Sequence, residues 1–441
     1  MRQIISHIKE SVIPSRTLIK SKEHIANTAF ELVATETEKF SEIVGVEFGG
    51  SYAKETWIGR EADVDIFIRF KESTSDKKFE DISKKIGFAA LKKFKPYVRY
   101  SEHPYVEANI MKTKVNVVPC YDVKIGNWKS SADRSPFHTK YMQEMLTQAM
   151  KNEVRILKAF LKTIGIYGAE IAKQGFSGYV SEVLILNYKT FENVVEVISK
   201  IKEGQVIGKT SKKFDTPIII MDPIDSNRNL AAAISSQNIG KFILACRVFQ
   251  AKPTVEFFKP KKTRSATLEN IMIVKFNFKN RSPDVIWGQI KRAASSLSTQ
   301  LKIGGFNVLR STAFTDEKNE AYLFFLLESP LIPKKYVKKG PDYFREEDVR
   351  SFIKKNIVNS EIMWIDNDSK IVSLERRRHY DAVKYLRNFV KNNLDVGIPK
   401  GLQNDLRKGF DVTLGGKNLE KSIKEAASEL VSTNEKIFYS N

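Results

Sequence analysis

Gly50-Ser51-Tyr52-Ala53-Lys54-Glu55-Thr56-Trp57-Ile58-Gly59-Arg60-Glu61-Ala62-Asp63-Val64-Asp65 is the stretch on which the reading of this chain turns. Successive residues of a strand point to opposite faces, so Asp63 and Asp65 present both carboxylates on one side. Two close carboxylates repel, and a shared Mg²⁺ relieves the repulsion. Upstream, the Gly49-Gly50-Ser51 turn lets backbone N–H groups and a hydroxyl approach phosphate oxygens, because glycine has no Cβ to hold them off. Lys54 and Arg60 add cations nearby. A lone Asp-x-Asp pair is more often two solvated aspartates. Ser51 lies twelve residues before Asp63, with a strand expected on either side. Together these are the parts for phosphoryl or nucleotidyl transfer assisted by metal ions.

Around that stretch the pattern is that of an α/β unit with a mixed sheet. Residues 23–40 read as a helix, Ile43 to Phe48 as a strand, and Val64 to Phe70 as an alternating strand. A charged amphipathic helix is expected over 79–94, then a hairpin of Val106 to Ile110 and Val115 to Val118, closed by Pro119. Met142, Leu146, Met150, Val154, Leu157 and Leu161 fall on one face of one long helix ending at Gly165. Further helices are expected over 178–195 and 237–250, with Ser226 to Asn229 as a helix entry at Leu230. Beyond Lys259 the order becomes β-α-β-β: Ile271 to Phe278, a helix stripe from Val285 to Leu301, and a hairpin of 307–314 and 321–328. That order is half of a ferredoxin-like or RNA-recognition sheet. From Pro341 the reading is mainly helical.

Composition narrows the partner. The chain has 441 residues, with 73 Lys+Arg against 52 Asp+Glu, a formal net charge of +21. Such an excess attracts polyanions, nucleic acid first and an anionic membrane surface second. Basic clusters stand at Lys259-Pro260-Lys261-Lys262, Lys334-Lys335, Lys338-Lys339 and Arg376-Arg377-Arg378. At 42% apolar and 11% aromatic residues, the chain is not a disordered one. No apolar run approaches the ~20 residues that span a bilayer. Two cysteines, Cys120 and Cys246, suit a reducing cytoplasm. His7, His24, His103, His138 and His379 are too scattered for a zinc site.

A strand-to-helix Gly-Ser followed by Asp-x-Asp on the next strand resembles the polymerase-β-type nucleotidyltransferase superfamily. Further blocks resemble one branch of it, the archaeal, class I CCA-adding enzymes. These are Val117-Val118-Pro119-Cys120-Tyr121, Arg134-Ser135-Pro136-Phe137-His138, Asn152-Glu153-Val154-Arg155 and Gly165-Ile166-Tyr167-Gly168-Ala169-Glu170. Gly175-Phe176-Ser177-Gly178-Tyr179, Asp222-Pro223 with Arg228-Asn229, and Phe257-Phe258-Lys259-Pro260 continue the series in family order. The C-terminal part is similar more loosely, at Leu323 to Glu328 and Gly340-Pro341.

The resemblance implies an α+β multidomain fold. It would have a polymerase-β-like head with a mixed sheet (1–138), a helical middle domain that binds nucleotide and tRNA (139–258), and a ferredoxin/RRM-like RNA-binding body with a helical tail (259–441). It implies a cytoplasmic tRNA nucleotidyltransferase that adds C, C and A to the tRNA 3′ end from CTP and ATP, with Mg²⁺ and no nucleic-acid template. By the same resemblance Gly50, Ser51, Lys54, His138, Lys158 and Tyr167 contact the incoming triphosphate, Asp63 and Asp65 bind Mg²⁺, and Arg228 helps to read the base. tRNA would be gripped at its acceptor stem and TΨC arm; whether the protein is a homodimer is open. Each residue also has a plain alternative: Lys158 a solvated helix edge, Tyr167 a core cap, His138 a turn residue, Arg228 a helix-entry arginine paired with Asp222 or Asp225.

One position departs from the pattern. The third carboxylate of the family's metal and catalytic set stands just before Val-Val-Pro-Cys, and here that residue is Asn116. Asparagine keeps the size but loses the charge and cannot accept the proton of a 3′-hydroxyl. Impaired catalysis is therefore expected, through a deliberate Asp→Asn replacement, which the intact surroundings favour, or a natural change. Asp122 has the right parity but lies roughly 20 Å along the strand; Glu107, on the neighbouring strand, remains open. The rivals are a poly(A) polymerase or oligoadenylate synthase on the same fold, and a non-catalytic RNA-binding protein with a degenerate site.

Overall fold

A computed structural model describes residues 1–441 except 60–61, 101–102, 260–267, 280, 416–418, 433 and 439–441. Arg60, Pro260, Lys261 and Lys262 of the basic groups above lie outside the described residues. The chain forms two compact units, residues 1–263 with 434–441, and residues 264–433.

In the first unit, α1 (Arg2–Val12) and α2 (Arg16–Thr37) precede β1 (Ile43–Gly49), a one-turn α3 (Gly50–Ala53) and β2 (Val64–Lys71). Then come α4 (Asp76–Ala90), β3 (Tyr97–Tyr100), β4 (Pro104–Ile110) and β5 (Thr113–Asp122). The five strands form one sheet in the order β1-β2-β5-β4-β3, with β2 and β5 parallel and the other neighbours antiparallel. Alternation gives the sheet two chemically different faces. Val64, Ile66, Ile68, Val106, Ala108, Val115 and Val117 pack on Ile25, Ala29 and Val33 of α2 and Phe79, Ile82 and Ile86 of α4. Their neighbours in sequence, Asp65, Glu107 and Asn116, occupy the other face.

Pro119 does not close β5, which runs on to Asp122. The pairing of β4 ends at Val106 opposite Val117, so Pro119 meets only β2 and its missing N–H is not needed on the other side.

The helical part follows: α5 (Arg134–Met145), α6 (Gln148–Thr163), α7 (Gly178–Tyr188) and α8 (Phe191–Ser199), then β6 (Gln205–Ile207), β7 (Ile218–Asp222), β8 (Asp225–Asn229) and α9 (Ser236–Ala251). The expected long helix is two. Thr147 caps α6 by accepting from the Met150 N–H, and the apolar stripe continues across the break, which is why periodicity alone did not reveal it. The expected 178–195 helix also divides, at Lys189 (φ +72°) and the capping Thr190. Ser226 to Asn229 are strand, antiparallel to β7, and lead as expected into a helical turn at Leu230, a 3-10 helix (Leu230–Ala233) capped by Asn229, whose side chain accepts from the Ala231 N–H.

The second unit holds β9 (Ile271–Asn277), α10 (Pro283–Ile303), β10 (Val308–Thr315) and β11 (Glu320–Leu327). Next are β12 (Lys335–Asp342), α11 (Glu346–Asn356), β13 (Ser360–Ile365) and β14 (Lys370–Arg376). α12 (Ala382–Asn392), α13 (Lys400–Lys408), β15 (Phe410–Leu414) and α14 (Lys421–Val431) complete it, while α15 (Glu435–Phe438) returns to the first unit. The main sheet runs β10-β11-β9-β15, entirely antiparallel, the ferredoxin-like order. The region after Pro341 is less helical than expected, since β12, β14 and β13 form a second sheet. Its basic clusters are tied across strands: Lys338 to Glu375, Lys339 to Asp366 and Asp368, and Lys335 and Arg376 both to Glu361. Among the described residues no helix is long and apolar enough to cross a membrane.

Candidate active site

The chain turns sharply out of β1. Gly50 has φ +63°, and a Cβ there would lie 1.9 Å from Asp65 Oδ2. Only glycine fits, so the turn and the carboxylate are in contact. Across the sheet, Gly49 on β1, Asp65 on β2, Asn116 on β5, Glu107 on β4 and Tyr97 on β3 are consecutive register partners, and thus form one row. Asn116 Nδ2 donates to Asp65 Oδ1 at 2.8 Å. Glu107 accepts from the Tyr97 hydroxyl and lies 3.5 Å from Arg99 Nε.

The carboxylates are electrostatically uneasy. Burial, then the neighbouring Asp65, pushes Asp63 up to about 6; Glu107 adds to the effect, and Lys114 and Lys22 oppose it. Burial raises Asp65 as well, against the pull of the Asn116 amide and Lys54. Asn116 is buried, and its Oδ1 has no hydrogen-bond partner. Two carboxylates and an orphaned amide oxygen are hard donors, which fit a divalent cation. Among the described residues no three or more His, Cys, Asp or Glu side chains converge as a metal cluster.

Lys54 and Lys158 come together, but on a buried acid. Glu182 of α7 is fully enclosed; Lys54 Nζ lies 2.5 Å from its Oε2, and Lys158 Nζ 3.3 Å from its Oε1. Lys158 also donates to the Thr56 carbonyl and hydroxyl oxygens, and the Thr56 hydroxyl donates to Glu182. The two lysines and one acid leave a net positive charge in the interior. Lys158 is accordingly held down at about 8, chiefly by burial, while Glu182 stays below its ordinary value because the two ammonium groups outweigh its burial. Lys158 is no solvated edge residue. The Tyr167 hydroxyl lies beside it, 3.2 Å from where a Cβ on Gly178 would stand, against 3.4 Å for Lys158 Nζ.

A second cluster gathers around Asp222 at the end of β7. His138 Nε2 lies 3.0 Å from Asp222 Oδ2, the Tyr179 hydroxyl donates to Oδ1 at 2.9 Å, and Arg228 Nη1 donates to Oδ2 at 3.2 Å. The His138 and Tyr179 rings stack at 3.8 Å. Burial lowers His138 despite its carboxylate partner. Lys54 lies 5.4 Å from the Tyr179 ring, which links this cluster to the first.

Sequence reasoning missed Glu182, Tyr179, Arg155 and Lys22 as site residues, while the pairing of Arg228 with Asp222 that it left open is present. Glu182 had a signal, since it is the lone acid in Tyr179-Val180-Ser181-Glu182-Val183-Leu184-Ile185-Leu186. Arg155, in contrast, binds the carbonyls of Glu55 and Trp57, and Lys22 that of Ala62. Both pin the loop before Asp63 from distant helices, which nothing local announces.

Three family matches cover most of the chain: a nucleotidyltransferase domain at residues 31–138, the second domain of tRNA nucleotidyltransferase at 152–259, and the C-terminal domain of CCA-adding enzyme at 268–415. The CCA-adding enzyme of Saccharolobus islandicus is 38% identical over 341 residues, 76% of this chain and 81% of that protein. The chain belongs to the CCA-adding enzyme family. Members of this family from Sulfurisphaera tokodaii and Methanothermobacter thermautotrophicus are 35% identical over 353 residues and 30% identical over 399 residues. These alignments cover 79% and 87% of this chain, and 83% and 86% of those proteins. The chain is thus a tRNA nucleotidyltransferase by family, with the polymerase-β-like head at residues 31–138.

Proposed function

We propose that this chain adds C, C and A to the 3′ end of tRNA from CTP and ATP, without a nucleic-acid template, by Mg²⁺-dependent nucleotidyl transfer in the cytoplasm. The observation that carries this reading is the contact between the Gly50 turn and Asp65, a phosphate cradle set directly against paired carboxylates. In the reaction the tRNA 3′-hydroxyl attacks the α-phosphate and pyrophosphate leaves. Asp63, Asp65 and the free Asn116 oxygen would hold Mg²⁺, which when bound neutralises phosphate charge. Gly50 and Ser51 offer N–H and hydroxyl donors to the triphosphate. The uncompensated charge of the Lys54–Lys158–Glu182 cluster, with Tyr167 beside it, favours an anion at the mouth of the same site. His138 and Arg228, both on Asp222, orient the nucleotide, with Arg228 toward the base. The head at 1–138, the middle at 139–258 and the body at 259–441 divide the work between chemistry, nucleotide and RNA. Basic surfaces of the last two hold the acceptor stem and TΨC arm by shape and phosphate contacts.

Asn116 lacks, on β5, the negative charge of the family pattern, so turnover is slower than with aspartate there. Incubating tRNA that lacks its 3′ CCA with each nucleotide separately tests the reading. CTP alone extends that tRNA by two residues, and ATP extends it only after C and C are in place. Unlimited extension with ATP alone means a poly(A) polymerase or oligoadenylate synthase. Equal rates for the chain and Asn116→Asp would refute the role given to position 116, and tRNA binding with no turnover in either form would mean an RNA-binding protein with a degenerate site.

A further inference from the structure

We propose that Glu107 supplies the third negative charge of this site from β4, in exchange for the one that Asn116 on β5 lacks. The proposal rests on the cation-dependent reading above. Glu107 faces Asn116 directly in the antiparallel β4–β5 register, and Asn116 faces Asp65 in the parallel β5–β2 register. Residues directly opposite one another share a face, so the acids at 65 and 107 flank the amide at 116. An aspartate at 116 would put three carboxylates on three adjacent strands of one row, where like charges directly opposite repel. An amide at 116 with an acid at 107 keeps a third negative charge in the row and removes that contact.

Two features set Glu107 apart from a solvated sheet residue. It is only 3% exposed, and burying a carboxylate is costly unless something needs its charge or binds it firmly. Tyr97 and Arg99, on the outer strand β3, hold its carboxylate from one side only. The 8%-exposed Asn116 between the two acids donates its amide hydrogen to Asp65 and leaves Oδ1 with no partner, an acceptor aimed at nothing the protein provides. A cation held at Asp63 and Asp65 would satisfy that oxygen and lie within the field of Glu107, one strand spacing farther along the row. Glu107 thus acts on the cation through its charge, as a positioning residue rather than a ligand.

Mn²⁺ titration of the full chain followed by electron paramagnetic resonance tests this, without tRNA or nucleotide. Glu107→Gln is expected to weaken Mn²⁺ binding at least about tenfold at low salt, and to lower CMP incorporation with it. Asn116→Asp restores the charge on β5, so in that background Glu107→Gln should change Mn²⁺ affinity less than about threefold. Tyr97→Phe removes a partner of Glu107 but not its charge, and should leave Mn²⁺ affinity near that of the unaltered chain. Unchanged Mn²⁺ binding in Glu107→Gln, an equal loss in both backgrounds, or an equal loss in Tyr97→Phe would overturn the proposal in favour of a structural carboxylate. A chain that binds Mn²⁺ as expected but adds nothing to tRNA would overturn the proposed function and leave this inference standing.

Discussion

Replacing Glu182 by glutamine keeps the shape of the side chain and removes the negative charge that lies between Lys54 and Lys158. The three side chains are 0%, 7% and 1% exposed, so solvent cannot take over the missing charge. Lys158, held at about 8 against the ordinary 10.5, binds its proton less tightly folded than unfolded. The unfolded chain therefore carries more protons between those values, and stability rises with pH across that window. At about 1.4 kcal/mol per pH unit, the charged Lys158 already costs about 3 kcal/mol at pH 7.

Without Glu182 the ammonium sheds its proton, and the cost is then set by pH alone: about 6 kcal/mol at pH 6, about 5 at pH 7 and about 2 at pH 9. Relative to the unaltered chain, Lys158 thus contributes about 3 kcal/mol of extra loss at pH 6, about 1 at pH 7 and almost nothing at pH 9. Lys54 loses a charge-assisted hydrogen bond of about 1.5–3 kcal/mol at every pH. The expected destabilisation of the first unit is therefore about 5 kcal/mol at pH 6, falling to about 2 kcal/mol at pH 9. Urea unfolding at pH 6, 7 and 9, followed by the fluorescence of Trp57 and Trp128, measures it. A penalty that is constant or grows with pH would show that Lys158 is not held as a strained cation.

Gly50→Ala should lower CMP and AMP incorporation at least about a hundredfold, because its Cβ would displace the Asp65 carboxylate. A gel shift should find tRNA binding within about twofold of normal; retained incorporation would mean that the turn and Asp65 do not act together. Arg228→Ala should raise the KM for CTP and ATP about tenfold by removing a charged donor. Its ion pair with Asp222 is exposed enough on the arginine side to leave Tm nearly unchanged. A fall in Tm with no change in KM would make Arg228 a structural partner of Asp222.

The local part of this molecule was legible in its sequence. The glycine turn, the Asp63 and Asp65 pair and the departure at Asn116 lie within short stretches whose geometry follows from strand alternation. The β-α-β-β order from Ile271 was legible for the same reason. What joins distant segments was not. Lys54 meets Glu182 across 128 residues, and Asp222 gathers His138, Tyr179 and Arg228 from three elements. The breaks at Thr147 and Thr190 were hidden because capping hydroxyls cost the apolar stripe nothing. The strands beyond Pro341 escaped notice because β13 is largely exposed on both faces and shows no alternation. Glu107 gained meaning only when the register put it opposite Asn116.

The central claim is that one site, built on Gly50, Asp63 and Asp65, completes the tRNA 3′ end and does nothing else. The most direct measurement is the mass of tRNA lacking its 3′ CCA after incubation with this chain, CTP, ATP and Mg²⁺. A gain of two cytidylates and one adenylate, abolished by Asp65→Ala with tRNA binding retained, is predicted. A ladder of adenylates, or the same gain from the Asp65→Ala chain, would contradict it.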